Sequence, residues 1–304
     1  QIPFKLTSSQ KKCIEEIYND IKKASPMKRL LQGDVGSGKT IVAAAAVTAT
    51  IKNNKQAALM APTEVLAEQH LTSFKKYLEY FDVDIHLLTS SVKDREDIYE
   101  IIDRGDPVLI IGTHALIQDK VNFNNLGLAI IDEQQRFGVE QRKKLVDNDD
   151  FTPHQLVMTA TPIPRTTALA IYGDLELSVI DELPPGRKKI KSRVLSGGKR
   201  DNKEVYEAAY EHLKNDSQIF VVCPYIEESE NSDIKAAENV FKLYRSEFKD
   251  YKVDLLHGKM KPEEKELKML QMQNGEIDIL VSTVVIEVGI DITCLLYTSP
   301  SPRD

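Results

Sequence analysis

Between residues 10 and 180 the chain alternates short apolar runs with longer stretches of helical periodicity. Apolar runs of this length, separated by helices, belong to a parallel sheet whose two faces are covered by crossover connections. The runs MKRLLQG, QAALMAP, DIHLLT, PVLIIGT, LGLAIIDE and QLVMTAT predict strands, and residues 10–23, 39–52, 64–80 and 94–104 predict helices between them. Each run leads into a polar or glycine-rich segment. Ligands of open α/β sheets bind beyond the carboxyl ends of the strands, so chemistry is expected in those segments.

The alternation stops at ELPPGRKKIKSR, where Pro184, Pro185 and Gly186 can continue neither a helix nor a central strand. It then resumes, with helices over residues 201–214, 234–249 and 262–274 and strands at QIFVVCP, VDLLHG and IDILVST. The expected fold class is therefore α/β, in two lobes. The first spans residues 1–183, a hinge spans 184–187, and a second, shorter lobe spans 188–293.

Composition narrows the class. A chain of 304 residues is long enough for two domains with separate cores. Its 41% hydrophobic and 29% charged residues describe a soluble globular protein, and no apolar stretch approaches the roughly 20 residues of a membrane span. The opening QIPFKLTSSQ has no basic and apolar signal-peptide pattern. Cys13, Cys223 and Cys294 are odd in number and widely spaced, which argues against a disulfide framework or a zinc site and for a reducing cytoplasm. The net charge of −7 is adverse for a nucleic-acid binder. A local basic groove suffices, however, because main-chain N–H groups and hydroxyls also contact phosphates. Basic clusters stand at Arg187, Lys188, Lys189, Lys191 and Arg193, and at Lys199 and Arg200.

The strongest chemical signal is GDVGSGKT, residues 33–40, between an apolar run and an alanine-rich helix. Its glycines, Gly33, Gly36 and Gly38, let backbone N–H groups turn inward around a phosphate, and the helix start adds partial positive charge. Lys39 is expected to reach the β- and γ-phosphates of ATP and Thr40 to hold Mg²⁺. In LAIIDEQQRFG, four apolar residues lead into Asp132 and Glu133. A carboxylate at a strand end orients the metal, and a second beside it accepts a proton from the attacking water. Asp132 is the candidate metal residue and Glu133 the candidate general base.

Taken in order, GDVGSGKT, DEQQRFGVEQR, MTATPIPRT and STVVIEVGID resemble the motifs of superfamily 2 helicases, above all the RecG family of bacterial ATP-dependent DNA helicases. The resemblance covers residues 2–293. It implies two RecA-like lobes, the second incomplete, using ATP and Mg²⁺ as a monomeric cytoplasmic motor without membrane contact. The implied partner is branched or forked duplex DNA, such as replication forks and Holliday junctions, in recombination and repair. Residue by residue, it implies that Phe4 and Gln10 read the adenine; from the residues alone, Phe4 is a core anchor and Gln10 a helix-surface residue. It assigns nucleic-acid contact to Thr63, Glu64, Thr113 and His114 in the first lobe and to Tyr225, His257, Gly258 and Thr283 in the second. Helix capping and turn formation are the alternative roles for Thr63, Glu64 and Thr113. Thr159 and Thr161 are implied to couple hydrolysis to movement by bonding the Asp132 segment. Gly289 and Asp291, in a motif with Glu287, are implied to approach the nucleotide from the second lobe.

Two departures are visible. Gln135 stands where the family often has histidine; glutamine still donates and accepts hydrogen bonds. The family's further strand and Q-x-x-G-R-x-G-R segment, whose arginines contact the γ-phosphate, have no counterpart in the 304 residues, nor does its amino-terminal wedge domain. The chain ends instead in CLLYTSPSPRD, which lacks periodicity, holds Pro300 and Pro302, and resembles a translated sequencing adapter. Residues 294–304 are read as a non-native tail without regular structure. The transcription-repair coupling translocases share most of these motifs and form the alternative reading, together with an ATP-binding fragment impaired in hydrolysis. DEAD-box RNA helicases fit DEQQRFG less well.

Overall fold

A computed structural model describes residues 5–133, 136–138, 141, 144–145, 152–161, 175–182, 194–195, 199–223, 230–283 and 295–298. The chain divides into two compact units, residues 1–188 and 189–304. No helix among the described residues is long and apolar enough to cross a membrane.

The first unit runs α1 (Ser8–Ile21), β1 (Lys28–Gly33), α2 (Lys39–Lys52), β2 (Gln56–Met60), α3 (Glu64–Leu78), β3 (Asp84–Leu88), α4 (Glu96–Arg104), β4 (Val108–Gly112), a 3₁₀ turn (His114–Ile117), β5 (Leu126–Asp132), β6 (His154–Thr159) and β7 (Glu176–Ile180). All seven strands pair in parallel, in the order β3-β4-β2-β5-β6-β1-β7. Strands β2, β4 and β5 are buried at every position, which their unbroken runs of Ala, Leu and Ile require. Helix α2 buries Ile41 through Ala44, Ala46 and Val47, because small alanines let the sheet approach it closely. Helix α1 starts on a capping box: Thr7 Oγ1 accepts from Gln10 N–H while Gln10 Oε1 accepts from Thr7 N–H.

The second unit runs α5 (Lys199–Leu213), β8 (Gln218–Val222), α6 (Glu230–Glu247), β9 (Val253–Leu256), α7 (Pro262–Gln273), β10 (Ile279–Ser282) and β11 (Leu295–Thr298). Its four-stranded sheet is also parallel, in the order β11-β8-β10-β9. Phe248, fully buried, packs among Tyr206, Tyr210, Tyr244 and Tyr251 to seal α5 and α6 onto this sheet. Both described cysteines, Cys13 and Cys223, are buried, and burial pushes each thiol up to about 11, with Glu16 adding to the effect at Cys13.

Two strands depart from the sequence expectation. Strand β7 was not expected, since ELSVI is short and polar at two of its positions; it is an edge strand, exposed at Glu176 and Val179 and buried at Ser178 and Ile180. The terminal segment is corrected as well. Leu295–Thr298, expected to lack regular structure, pairs in parallel with β8 from Leu295 opposite Gln218 to Thr298 opposite Val221. Pro300 and Pro302 follow this strand instead of interrupting it, so its ladder donors are intact.

The first unit is also held by a buried cation. Arg29 on β1 is 4% exposed, and its guanidinium bonds Asp20 at 2.7 Å, Ser178 at 2.9 Å and Glu176 at 3.1 Å, with Glu16 at 3.4 Å. One side chain thereby joins α1, β1 and β7. Burial opposes ionisation of Asp20, but hydrogen bonds from Lys23 and Arg29 bring its carboxyl below the usual carboxylate range. Arg29→Leu leaves these acids without their cation and is expected to cost about 3–5 kcal/mol of unfolding free energy, measured by urea titration. Adding Asp20→Asn should recover part of that loss; a single-variant cost under about 1 kcal/mol would show the cluster to be dispensable.

Candidate nucleotide and nucleic-acid site

The order of the first sheet places β5, β6 and β1 side by side, with Asp132 in register with Met158 and Thr159 in register with Gln32. The segments that follow these three strands are GDVGSGKT, DEQQRFG and TATP. Parallel pairing brings all three motifs to one edge of the sheet, at the carboxyl ends of neighbouring strands.

In the glycine-rich loop, Gly36 (φ 70°) and Gly38 (φ 91°) occupy the left-handed region. Gly38 is the N-cap of α2, no side chain caps it, and no acidic residue lies in the first turn, so no side chain competes there for the positive end of the helix. The Lys39 ammonium donates to the carbonyls of Gly33 at 2.7 Å and Asp34 at 3.2 Å, folded across the loop. These features fit a polyphosphate: a left-handed glycine turn, a helix start and a cation on one small arc.

Gln10 belongs to this loop. It is 2% exposed, and its Nε2 donates to Ser37 O at 2.7 Å while the opposite end of its amide closes the capping box. The surface position that the residues alone suggested is therefore corrected. The signal was available in Thr7 and Gln10, spaced as a capping pair; the bond to Ser37 was not, because it depends on how α1 lies against the loop.

At the end of β5, Asp132 is 7% exposed and both carboxylate oxygens are engaged. Oδ1 accepts from Glu133 N–H at 3.1 Å, and Oδ2 lies 2.7 Å from His70 Nε2 on α3. Sequence reasoning passed over His70, which stands in the same APTEVLAEQH segment as Thr63 and Glu64. Glu133 has φ 48°, a left-handed conformation that costs a non-glycine residue about 1–2 kcal/mol. Its Oε1 accepts from Ala160 N–H at 3.3 Å, which ties the candidate base to β6. The Thr159 and Thr161 hydroxyls bond each other at 2.9 Å, and the TAT segment meets Glu133 through the Ala160 N–H. A carboxylate held at both oxygens beside a second carboxylate tied to the backbone of Ala160 fits a divalent cation and a proton acceptor.

The expected nucleic-acid residues fall into groups. Thr63 caps α3, its hydroxyl accepting from Leu66 N–H at 3.3 Å, and Glu64 Oε1 accepts from Ser90 N–H at 2.7 Å, so both have local partners. Thr113 is 2% exposed with its hydroxyl unpartnered among the described residues, beside an exposed His114. In the second unit His257 follows β9 with a buried, unpartnered Nδ1 among the described residues, and Thr283 follows β10 with its N–H bonded to Leu256 O at 3.2 Å. A Cβ built on Gly258 meets nothing within 4 Å, so no neighbour in the unit requires glycine there. Phe4, Gln135, Tyr225, Glu287, Gly289 and Asp291, and the basic cluster at 187–193, lie outside the described residues.

A glycine-rich loop, an acidic pair and a TAT segment, leaving three adjacent parallel strands at the same edge, define a candidate nucleotide-binding lobe. Residues 7–169 match the family of DEAD/DEAH box helicases and residues 202–298 the helicase conserved C-terminal domain; the chain belongs to that helicase family. Among individual proteins it is similar to the ATP-dependent DNA helicase RecG of Aquifex aeolicus, 50% identical over 96% of this chain and 37% of that protein. RecG of Escherichia coli K12 is 44% identical over 96% of this chain and 43% of its own length. The chain thus spans about two-fifths of these relatives. The structure of RecG bound to a three-way DNA junction superposes with a TM-score of 0.83 at 42% identity, covering 96% of this chain and 38% of that one. Mss116p, at 16% identity and a TM-score of 0.65 over 96% of this chain and 63% of its own, shares the fold.

Gly38→Ala is expected to lower stability by about 1–2 kcal/mol through φ alone, and by more because its Cβ would lie 2.3 Å from Gln10 Nε2. In a Gln10→Ala background the same step should cost less, as urea unfolding of the four proteins will measure. Equal costs in both backgrounds would remove Gln10 from the loop.

Proposed function

We propose that this chain is the ATP-driven motor of a RecG-type DNA helicase acting on branched or forked duplex DNA in recombination and repair. The proposal includes a first lobe over residues 1–183, a hinge over 184–187, a second lobe over 188–293, and work as a monomer in the cytoplasm. The observation that supports it best is the adjacency of β5, β6 and β1, which gathers Lys39, Asp132, Glu133 and Thr159 at one sheet edge. The similarity to RecG over 96% of the chain supports the choice of DNA among nucleic acids.

ATP with Mg²⁺ supplies, when bound, the phosphoryl group whose transfer to water drives the motor. The loop backbone and the start of α2 would hold the phosphates, and Lys39, now on the carbonyls of Gly33 and Asp34, would supply the cation beside them. Thr40 and Asp132 hold the metal. Glu133 takes the proton of the attacking water on its carboxylate, which Ala160 N–H keeps in place. Gln10, tied to the loop through Ser37, reads the base, a role the resemblance shares out to Phe4; it also assigns Gly289 and Asp291 to the nucleotide. Thr159 and Thr161 relay the state of the site to the rest of the motor. Thr63, Glu64, Thr113, His114, Tyr225, His257, Gly258 and Thr283 form the DNA track; the Thr113 hydroxyl, unpartnered among the described residues, and the open space at Gly258 support that reading.

In the full-length gene product, Lys39→Ala should reduce DNA-stimulated ATP hydrolysis by at least about 10²- to 10³-fold, because the cation facing the transferred phosphoryl group is gone. A steady-state phosphate-release assay with a synthetic fork reads this, and turnover near wild type would remove Lys39 from the site. Glu133→Gln should still bind ATP, followed with a fluorescent analogue, while turnover falls about 10²- to 10⁴-fold for want of a proton acceptor. ATP hydrolysis indifferent to any DNA, or stimulated by RNA instead, would overturn the DNA-motor reading itself.

A further inference from the structure

His70 stands on the second turn of α3, a helix that begins with the APTE segment and packs beside α2 and over β3 and β4. Its ring reaches Asp132 at the end of β5, sixty-two residues later in the chain. The Nε2 to Oδ2 distance is 2.7 Å, at the short end for an N–H···O bond, and each side chain is only 10% exposed. Phe74, one turn further along α3 and fully buried, meets the ring edge-on at 6.3 Å. The imidazole is thus fixed from its own helix while its Nε2 is aimed at a carboxylate on another element.

A carboxylate that binds a metal is ionised and can only accept hydrogen bonds. His70 Nε2 therefore carries the proton, whether the ring is neutral or charged. The χ2 rotation of aspartate is soft and roughly two-fold. Two bonds remove that freedom in Asp132: Glu133 N–H on Oδ1 and His70 Nε2–H on Oδ2. The first is made by the next residue in the chain, whose N–H is shared with Met158 O on β6. The second requires α3 to be in place.

We propose that His70 is a positioning residue for the metal-binding carboxylate: its Nε2–H orients Asp132 so that the remaining lone pairs face the cation. This inference rests on the nucleotide-motor reading above. Partners of metal-binding side chains typically contribute about 10- to 100-fold in metal affinity. Through α3, the bond also joins the metal residue to Thr63 and Glu64 at the start of the same helix.

The test uses the 304-residue chain with ADP, and Mn²⁺ as the probe, followed by its electron paramagnetic resonance signal. Wild type should bind Mn²⁺ in the presence of ADP. His70→Phe should weaken that binding about 10- to 100-fold, while metal-free binding of a fluorescent ADP analogue and the thermal unfolding midpoint stay near wild type. His70→Gln, whose Nε2 donor reaches about as far, should restore most of the affinity, and His70→Asn, shorter by one methylene, should not. If His70→Phe does not fold, the contrast between glutamine and asparagine carries the same test. Unchanged Mn²⁺ affinity in His70→Phe, or glutamine as poor as asparagine, overturns the proposal and leaves the motor reading standing. A parallel loss of metal-dependent and metal-free binding makes His70 merely structural and overturns it too. No binding of ADP by wild type, with or without metal, overturns both readings.

Discussion

Everything chemical in the first unit depends on one ladder, the parallel pairing of β5 with β6 and β6 with β1. Parallel strands begin and end together, so loops that leave neighbouring strands must emerge side by side, whatever their separation in sequence. Asp132 opposite Met158 and Gln32 opposite Thr159 set that alignment to the residue. A slip of one position would turn Asp132 to the other face of the sheet and part it from His70. The unbroken apolar runs of β5 and of the core of β6, buried on both faces, oppose such a slip because every alternative register buries polar ends.

Around this ladder the site is stiffened by single bonds from outlying helices. Helix α1 reaches in through Gln10 to Ser37, and α3 through His70 to Asp132. Each helix is itself fixed by a capped start, at Thr7 and Thr63. The loop and the acidic strand end are thus buttressed from opposite sides of the sheet order by helices that have no catalytic group of their own.

Most of this framework was legible in the residues. Six strands of the first unit and three of the second follow from apolar runs, and the phosphate loop and acidic pair follow from strand ends, because those features are local. What escaped was non-local or half-polar. Strand β7 is stabilised by Arg29, whose partners on α1 and β7 no local pattern connects. Strand β11 is a four-residue run that depends on the edge of β8 for its pairing. His70 is about two turns from Thr63 on the same helix, yet only the packing of α3 over the sheet brings it to Asp132. Gln10 reads as a surface residue until the loop closes over it.

Glu133 sits in a left-handed conformation that glycine or asparagine adopts at little cost. Against that backbone cost the fold gains from glutamate the bond that its Oε1 accepts from Ala160 N–H, and glycine would relax the backbone while losing the bond. On the proposed reading its carboxylate is what keeps it there. Under selection for folding alone, drift at residue 133 would run toward glycine and asparagine, and the proposed proton acceptor would be lost while the backbone gained ease.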